Sequence, residues 1–356
     1  MKRFMTLIFV LICGMSMLSG CMTSNKNEQP ANSSAPTLDQ QGLLYGEVMI
    51  PDEMFSVITF YNDYLVYLTL DKNNQAGISR FDVNTGDVVE ICKLDDYKMN
   101  PANNTVLAGK IYLNYMANDA SRKMLEIDIE AAVKDTIVTE DNVAGLVYCA
   151  ATSESVFSLK HTMDGRSVVE HYVPKTKTND IFLVLESNKT ACAISTYGEH
   201  LYVLLCDEAG EYCVMQYSDD GSETDIWELP FVSDILQDSQ AGFFQVMDSA
   251  FYIMNFSGQS AAFYMDGTPI DELSGKAIAT DTAGSFSSYT FFGRGSNLDL
   301  IMYDTNKETL DALQICKEET DSIRYIYSDC NNPQRMLVSL RNTKTGVETV
   351  SIISAL

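Results

Sequence analysis

Residues 64–91 read YLVYLTLDKNNQAGISRFDVNTGDVVEI. Three runs rich in Val, Ile, Leu, Tyr and Phe are divided by two polar clusters of Asp, Asn, Gly and Thr. Branched and aromatic side chains suit the pleated surface of a strand, and Asn, Asp and Gly suit the turns between strands. The segment reads as strand, turn, strand, turn, strand. The same order recurs in 110–138 (KIYLNYMANDASRKMLEIDIEAAVKDTIV), 155–185 (SVFSLKHTMDGRSVVEHYVPKTKTNDIFLVL) and 200–229 (HLYVLLCDEAGEYCVMQYSDDGSETDIWEL). Weaker copies occupy 250–273, 290–313 and 324–352. The middle strand of each copy closes on Phe81, Ile127, Tyr172, Tyr217, Tyr264, Tyr303 and Leu340, at gaps of 46, 45, 45, 47, 39 and 37 residues. Only MLEIDIEAAVKD (124–135) has any helical look.

A repeat near 40–45 residues, with several strands per copy and no intervening helix, is the signature of a β-propeller. The fold class expected is therefore all-β. Seven copies predict seven blades, and the two short final gaps leave six or eight open. FSVITFY (55–61) and ACAISTY (191–197), ahead of the first and fourth copies, are the expected inner strands. LLYGEVMI (43–50) has no partner nearby, so it is expected to pair with the C-terminal VETVSIIS (347–354) and close the ring. Closure of that kind removes two exposed strand edges.

The N-terminus has a different character. Lys2 and Arg3 precede an apolar run from Phe4 to Leu18, which is shorter than the roughly 20 residues needed to span a bilayer. A positive start, a short apolar core and small residues after it describe a secretory signal. Leu18-Ser19-Gly20-Cys21 resembles the lipobox of bacterial lipoproteins. That resemblance covers residues 1–21 and implies cleavage before Cys21, with a diacylglyceryl group on its sulfur. One acyl chain binds membranes only marginally, whereas two give a stable anchor, palmitate-length chains contributing about 0.8 kcal/mol per buried methylene. Residues 22–41 are polar, hold no aromatic residue and cannot offset their ordering entropy by burial. A flexible coil of that length spans roughly 25 Å. The expected organisation is a signal peptide at 1–20, a lipidated Cys21 and linker at 21–41, and a propeller domain at 42–356. The expected location is the extracytoplasmic face of a cell membrane.

The formal net charge is −25, and losing Lys2 and Arg3 with the signal makes it −27. Phosphate backbones repel such a surface, which argues against nucleic-acid partners. After loss of Cys13 and lipidation of Cys21, seven of the nine cysteines remain: Cys92, Cys149, Cys192, Cys206, Cys213, Cys316 and Cys330. No CxxC occurs, and the odd number argues against a full disulfide framework. In LLCDEAGEYCVM a two-residue turn at Ala209-Gly210 would set Cys206 opposite Cys213, within disulfide reach.

Signals of catalysis are sparse. His161, His171 and His200 lie on separate stretches, and there is no HExxH, nucleophile elbow or glycine-rich phosphate loop. The acidic turns Asp82–Asp87, Ser218–Gly221, Asp266-Gly267 and Asp304–Asn306 faintly resemble calcium loops, but tight hairpins demand the same composition. Trp227, near a strand end, is read as a packed blade edge, with ligand stacking as the other option. No cofactor, metal or catalytic residue is assigned. The strand–turn period and the FDVNTGD-type turns resemble those of uncharacterised bacterial β-propeller lipoproteins. The resemblance carries over no activity; the anchor, the tether, a rigid ring with a concave face and the lack of a catalytic constellation lead to the expectation of a non-catalytic, lipid-anchored cell-envelope protein that binds a protein, peptide or glycan. The alternative is an extracytoplasmic enzyme, of glycan hydrolase or lyase type, with carboxylates converging at the propeller channel.

Overall fold

The polar clusters do form turns. In a computed structural model of the chain, residues 37–38 and most of 43–355 are described; stretches outside the description include 98–102, 234–240, 256–258, 274–283, 295–299 and 316–319. The signal, Cys21 and most of the expected linker lie outside the described residues. All described elements fall in one unit, Asn32–Leu356. Among them no helix is long and apolar enough to cross a membrane.

After the short strands β1 (Thr37–Leu38) and β2 (Leu43–Val48), the first quartet runs β3 (Met54–Tyr61), β4 (Tyr64–Leu70), β5 (Ala76–Asp82) and β6 (Val88–Leu94). The next sheet holds β7 (Asn103–Leu107), β8 (Lys110–Met116), β9 (Arg122–Asp128) and β10 (Val133–Glu140). A third holds β11 (Tyr148–Ala151), β12 (Val156–His161), β13 (Ser167–Val173) and β14 (Thr178–Val184). The fourth holds β15 (Lys189–Tyr197), β16 (His200–Asp207), β17 (Tyr212–Tyr217) and β18 (Glu223–Leu229). β19 (Ala241–Met247), β20 (Ala250–Asn255) and β21 (Ser260–Tyr264) form a three-stranded sheet, followed by a 3-10 turn at Asp271–Leu273. β22 (Gly284–Phe286), β23 (Tyr289–Arg294), β24 (Leu300–Asp304) and β25 (Thr309–Leu313) make the sixth group. Last come β26 (Asp321–Asp329), β27 (Asn332–Asn342) and β28 (Glu348–Ala355).

Within each group consecutive strands are antiparallel, and the groups form a β-propeller-like arrangement. The first strand of one group lies beside the first strand of the next: β7 by β11, β11 by β15, β15 by β19, β22 by β26 and β26 by β3. The fourth strands are the exposed ones, with β10, β14, β18 and β25 each opening on four exposed residues. FSVITFY and ACAISTY are thus first strands, as expected. The helical-looking 124–135 is the β9–β10 hairpin, its turn carried by Ala132 at φ 53°.

Stacking of sheets explains the unbroken apolar runs. In β16, Tyr202 and Leu204 pack with Phe244, Val246 and Phe251, whereas Leu201, Val203 and Leu205 pack with Phe157, Leu159 and Val169. A strand covered on both faces has no solvent side to alternate with. Each such side chain, fully buried, contributes about 1.5–3 kcal/mol.

β2 pairs antiparallel with β28, from Leu43 opposite Ala355 to Val48 opposite Val350. This is the pairing expected for LLYGEVMI and VETVSIIS. It also explains the short final gap. Leu340 lies on β27, the second strand of its group, whereas Phe81 and Tyr303 lie on third strands. The last copy is thus one strand out of phase with the others, and β2 pairs beyond β28 in the same sheet. The other short gap belongs to the three-stranded sheet, where TPIDEL gives only a bridge between Phe263 and Pro269 and the 3-10 turn.

Candidate functional site: a buried ion cluster between two sheets

Charged residues inside β9, β12 and β13 face the seam between the second and third sheets. Arg122 is fully buried. Its Nε donates to Asn114 Oδ1 at 2.9 Å, and Nη1 donates to Glu170 Oε2 at 2.5 Å and Glu140 Oε2 at 3.3 Å. Lys160 Nζ donates to Glu170 Oε1 at 2.5 Å and also to Glu140 Oε1. Asn179 Nδ2 reaches Glu170 Oε2 at 3.4 Å. Two cations therefore meet two carboxylates, and only Glu140 opens to solvent, with 31% of its side chain exposed. Burial alone would push the Glu170 carboxyl up; the Arg122 guanidinium and Lys160 ammonium outweigh it and hold it below its usual range.

Alternation places these groups together. Ser158 and Lys160 share a face of β12, Ser158 lies opposite Glu170, and Arg122 opens β9 on the facing sheet. Behind them Asn114 donates to Cys149 Sγ and, at 3.4 Å, to Ser158 Oγ. Burial pushes the Cys149 thiol up, against the pull of Arg122, so it is no ready nucleophile. Arg122 Nη2 is buried with no hydrogen-bond partner among the described residues. An ionised cluster of this kind positions neighbouring strands and holds Glu170 as a carboxylate near neutrality.

None of the candidate residues from sequence meets another here except Cys149. His161 Nδ1 contacts Ser167 Oγ at 3.2 Å, and His171 Nε2 contacts Ser155 Oγ at 2.7 Å beneath a stacked Phe157. Burial pushes both imidazoles down. His171–Ser155 has the spacing of a base and a hydroxyl, but Ser155 is buried in a tight turn, where its carbonyl accepts from Thr152 N. His200 opens β16 with a buried Nδ1 that has no hydrogen-bond partner among the described residues. Trp227 packs edge-on to Phe251 at 5.2 Å, as a blade edge should.

The acidic turns bind their own backbone. Asp82 Oδ1 accepts from Asn84 N and Thr85 N, and Asp304 Oδ1 accepts from Asn306 N and Lys307 N. Among the described residues no group of three or more His, Cys, Asp or Glu is placed to hold a metal.

Cys206 does not face Cys213. Leu205 lies opposite Cys213 and Cys206 opposite Tyr212. The hairpin loop is three residues, Glu208 to Gly210, with Gly210 at φ 86° and Asp207 N donating to Glu211 O. Asp207 Oδ1 also accepts from Ala209 N and Glu211 N, which fixes this longer turn. The extra residue shifts the register by one and sends the two thiols to opposite faces.

No protein-family model matches the chain, and no curated protein matches it. Its fold does resemble solved structures. An oligogalacturonate lyase from Vibrio parahaemolyticus aligns at TM-score 0.56 and 9% identity, over 91% of this chain and 97% of that one. An uncharacterized protein from Listeria monocytogenes aligns at TM-score 0.53 and 13% identity, over 85% and 95%. A chain from a study of two prolyl endopeptidases aligns at 0.51 and 10%, over 85% of this chain and 50% of that one. At these identities the likeness is one of fold.

Proposed function

We propose that the protein is a non-catalytic, lipid-anchored binding propeller of the cell envelope, held by diacylglyceryl-modified Cys21 and presenting a face to a protein, peptide or glycan outside the cell. One observation carries the reading. Among the described residues, β26 is the one first strand that bears carboxylates, and both are committed: Asp329 to Asn62 and Arg335, Asp321 to Asn342. Elsewhere among the described residues, buried Glu170 and the part-exposed Glu140 both pair with Arg122 and Lys160, and buried Asp304 pairs with Lys307. Among the described residues, carboxylates available for glycan hydrolysis or elimination are thus not gathered along the first strands.

The strand groups support seven blades. The nine-stranded sheet divides into β3–β6 and β26–β28 with β2, joined by a single parallel bridge between Phe60 and Asp329. On this reading β2 is the outer strand of the seventh blade and closes the ring. The net charge of −27 after cleavage argues for a ligand with cationic or neutral polar character and against nucleic acid.

Two experiments test the proposal. Expressed from its full coding sequence in a bacterium fed an alkyne fatty acid, the protein should become labelled and partition into detergent, and Cys21→Ala should abolish both. Incubation with a panel of envelope and host glycans and basic peptides should give saturable binding without turnover. Release of reducing ends or unsaturated sugars would overturn the non-catalytic reading.

A further inference from the structure

Cys192 is the extra residue of a bulge. Thr190 lies opposite Cys206 and Ala191 opposite Leu205, and pairing resumes with Ala193 opposite Leu204. A bulge re-aims the side chain it inserts. Here it turns Cys192 onto the face that Cys206 shares, and both pack against the cluster containing Tyr202, Leu204 and Phe251. Each thiol donates to a backbone carbonyl of its own strand, Cys192 Sγ to Thr190 O at 3.7 Å and Cys206 Sγ to Asp207 O at 3.6 Å, and the two are near enough to shift each other's ionisation. Both residues are only half-buried. Cys213 packs instead with the cluster on the other face.

We propose that Cys192 and Cys206 form a reversible cross-strand disulfide with a small-molecule disulfide or a thiol oxidoreductase as oxidant. Cys206 thiolate attacks one sulfur of the oxidant's disulfide and expels the other as a thiolate, giving a mixed disulfide. Cys192 then loses its proton and attacks Cys206 Sγ, expelling the second thiolate. The oxidant gains two electrons and two protons, and the protein gains one S–S bond. The order of attack follows from this proximity. The neighbouring Cys192 lowers Cys206 to about 7, and the neighbouring Cys206 keeps Cys192 protonated well above its ordinary range. Desolvation, with Asp207 and Glu211 on the same hairpin, opposes that lowering, and Tyr212 assists it. The bond would pin first strand β15 to β16 at its bulge.

The full-length chain, folded and treated with oxidised glutathione, should be alkylated, cut after glutamate and mapped without reduction. Cuts after Glu199 and Glu211 put Cys192, Cys206 and Cys213 on separate peptides. The expected product joins the Cys192 and Cys206 peptides with loss of two hydrogens, and dithiothreitol reverses it. Cys192→Ser and Cys206→Ser should each abolish the link, and Cys213→Ser should leave it. Mapping of the unsubstituted chain decides the matter should a variant not fold. Two separate glutathione adducts, two unmodified thiols, or a Cys206–Cys213 product would overturn the proposal.

Discussion

Asp329 accepts the backbone N–H of Asn62 at 2.9 Å, across 267 residues of chain. The contact anchors the seam where the last strand group meets the first. Cys330 N donates to Phe60 O at 3.0 Å, and Arg335 bonds Asn62 O at 2.9 Å and Asp63 Oδ1 at 3.2 Å while lying over the Phe60 ring. Only one backbone bridge, Phe60 with Asp329, joins the two groups here. Side chains therefore supply the cohesion that a ladder supplies elsewhere.

Asp329→Ala leaves the Asn62 N–H without its acceptor and Arg335 with one fewer carboxylate. Loss of such bonds costs about 1–3 kcal/mol. The urea midpoint should fall accordingly, and Arg335→Lys, which lacks the planar fork, should show part of the same loss.

Glu170→Gln leaves Arg122 and Lys160 in a buried seam with one carboxylate, the part-exposed Glu140, between them. Breaking a buried pair by removing one partner costs about 3–5 kcal/mol, whereas replacing the whole set with apolar groups is often neutral. Thermal unfolding should show the single change to be more damaging than Arg122→Met, Lys160→Met and Glu170→Leu combined. The pH profile carries the same sign. His161 and His171 are depressed by burial below the ordinary 6.5, so their contribution is full above that value and is lost as pH falls through their lower native values. Glu170 is depressed below 4.5, so its contribution is lost at still more acid pH, and Glu170→Gln should flatten only that second step.

Thiol reactivity should separate the cysteines. Near neutral pH, Cys206 should be alkylated first by iodoacetamide, while Cys92 and Cys149, both raised by burial, should wait for unfolding. Peptide mapping over time reads the order.

Equivalent turns hold different residues. Gly86 takes φ 81° after β5, where Ala132 takes 53° after β9 and Glu308 takes 52° after β24. A left-handed residue other than glycine costs about 1–2 kcal/mol. Ala132→Gly should therefore be neutral to stabilising by up to about 1 kcal/mol, despite the greater chain entropy of glycine, as judged by melting temperature.

The strand order was legible because each turn announces itself chemically. Asp82, Asp304 and Asn342 each accept two backbone N–H groups of the turn they open, so turn composition reports turn geometry. The ion cluster was not legible. Arg122 and Glu170 are 48 residues apart, and a lysine in VFSLKH looks the same in sequence whether it faces solvent or a neighbouring sheet. The thiol pair was misread for a related reason. A three-residue loop at Glu208–Gly210 and a bulge at Cys192 each move a side chain by one position, and neither leaves a mark that alternation can detect.

The central claim is a ring whose last blade is completed by the first long strand. Hydrogen–deuterium exchange on the full-length protein tests it most directly. Backbone amides of β2 and β28 should be protected together, to the level of β27, and should lose protection in one cooperative step. Rapid exchange throughout residues 43–48 with β28 still protected would contradict a ring closed by β2.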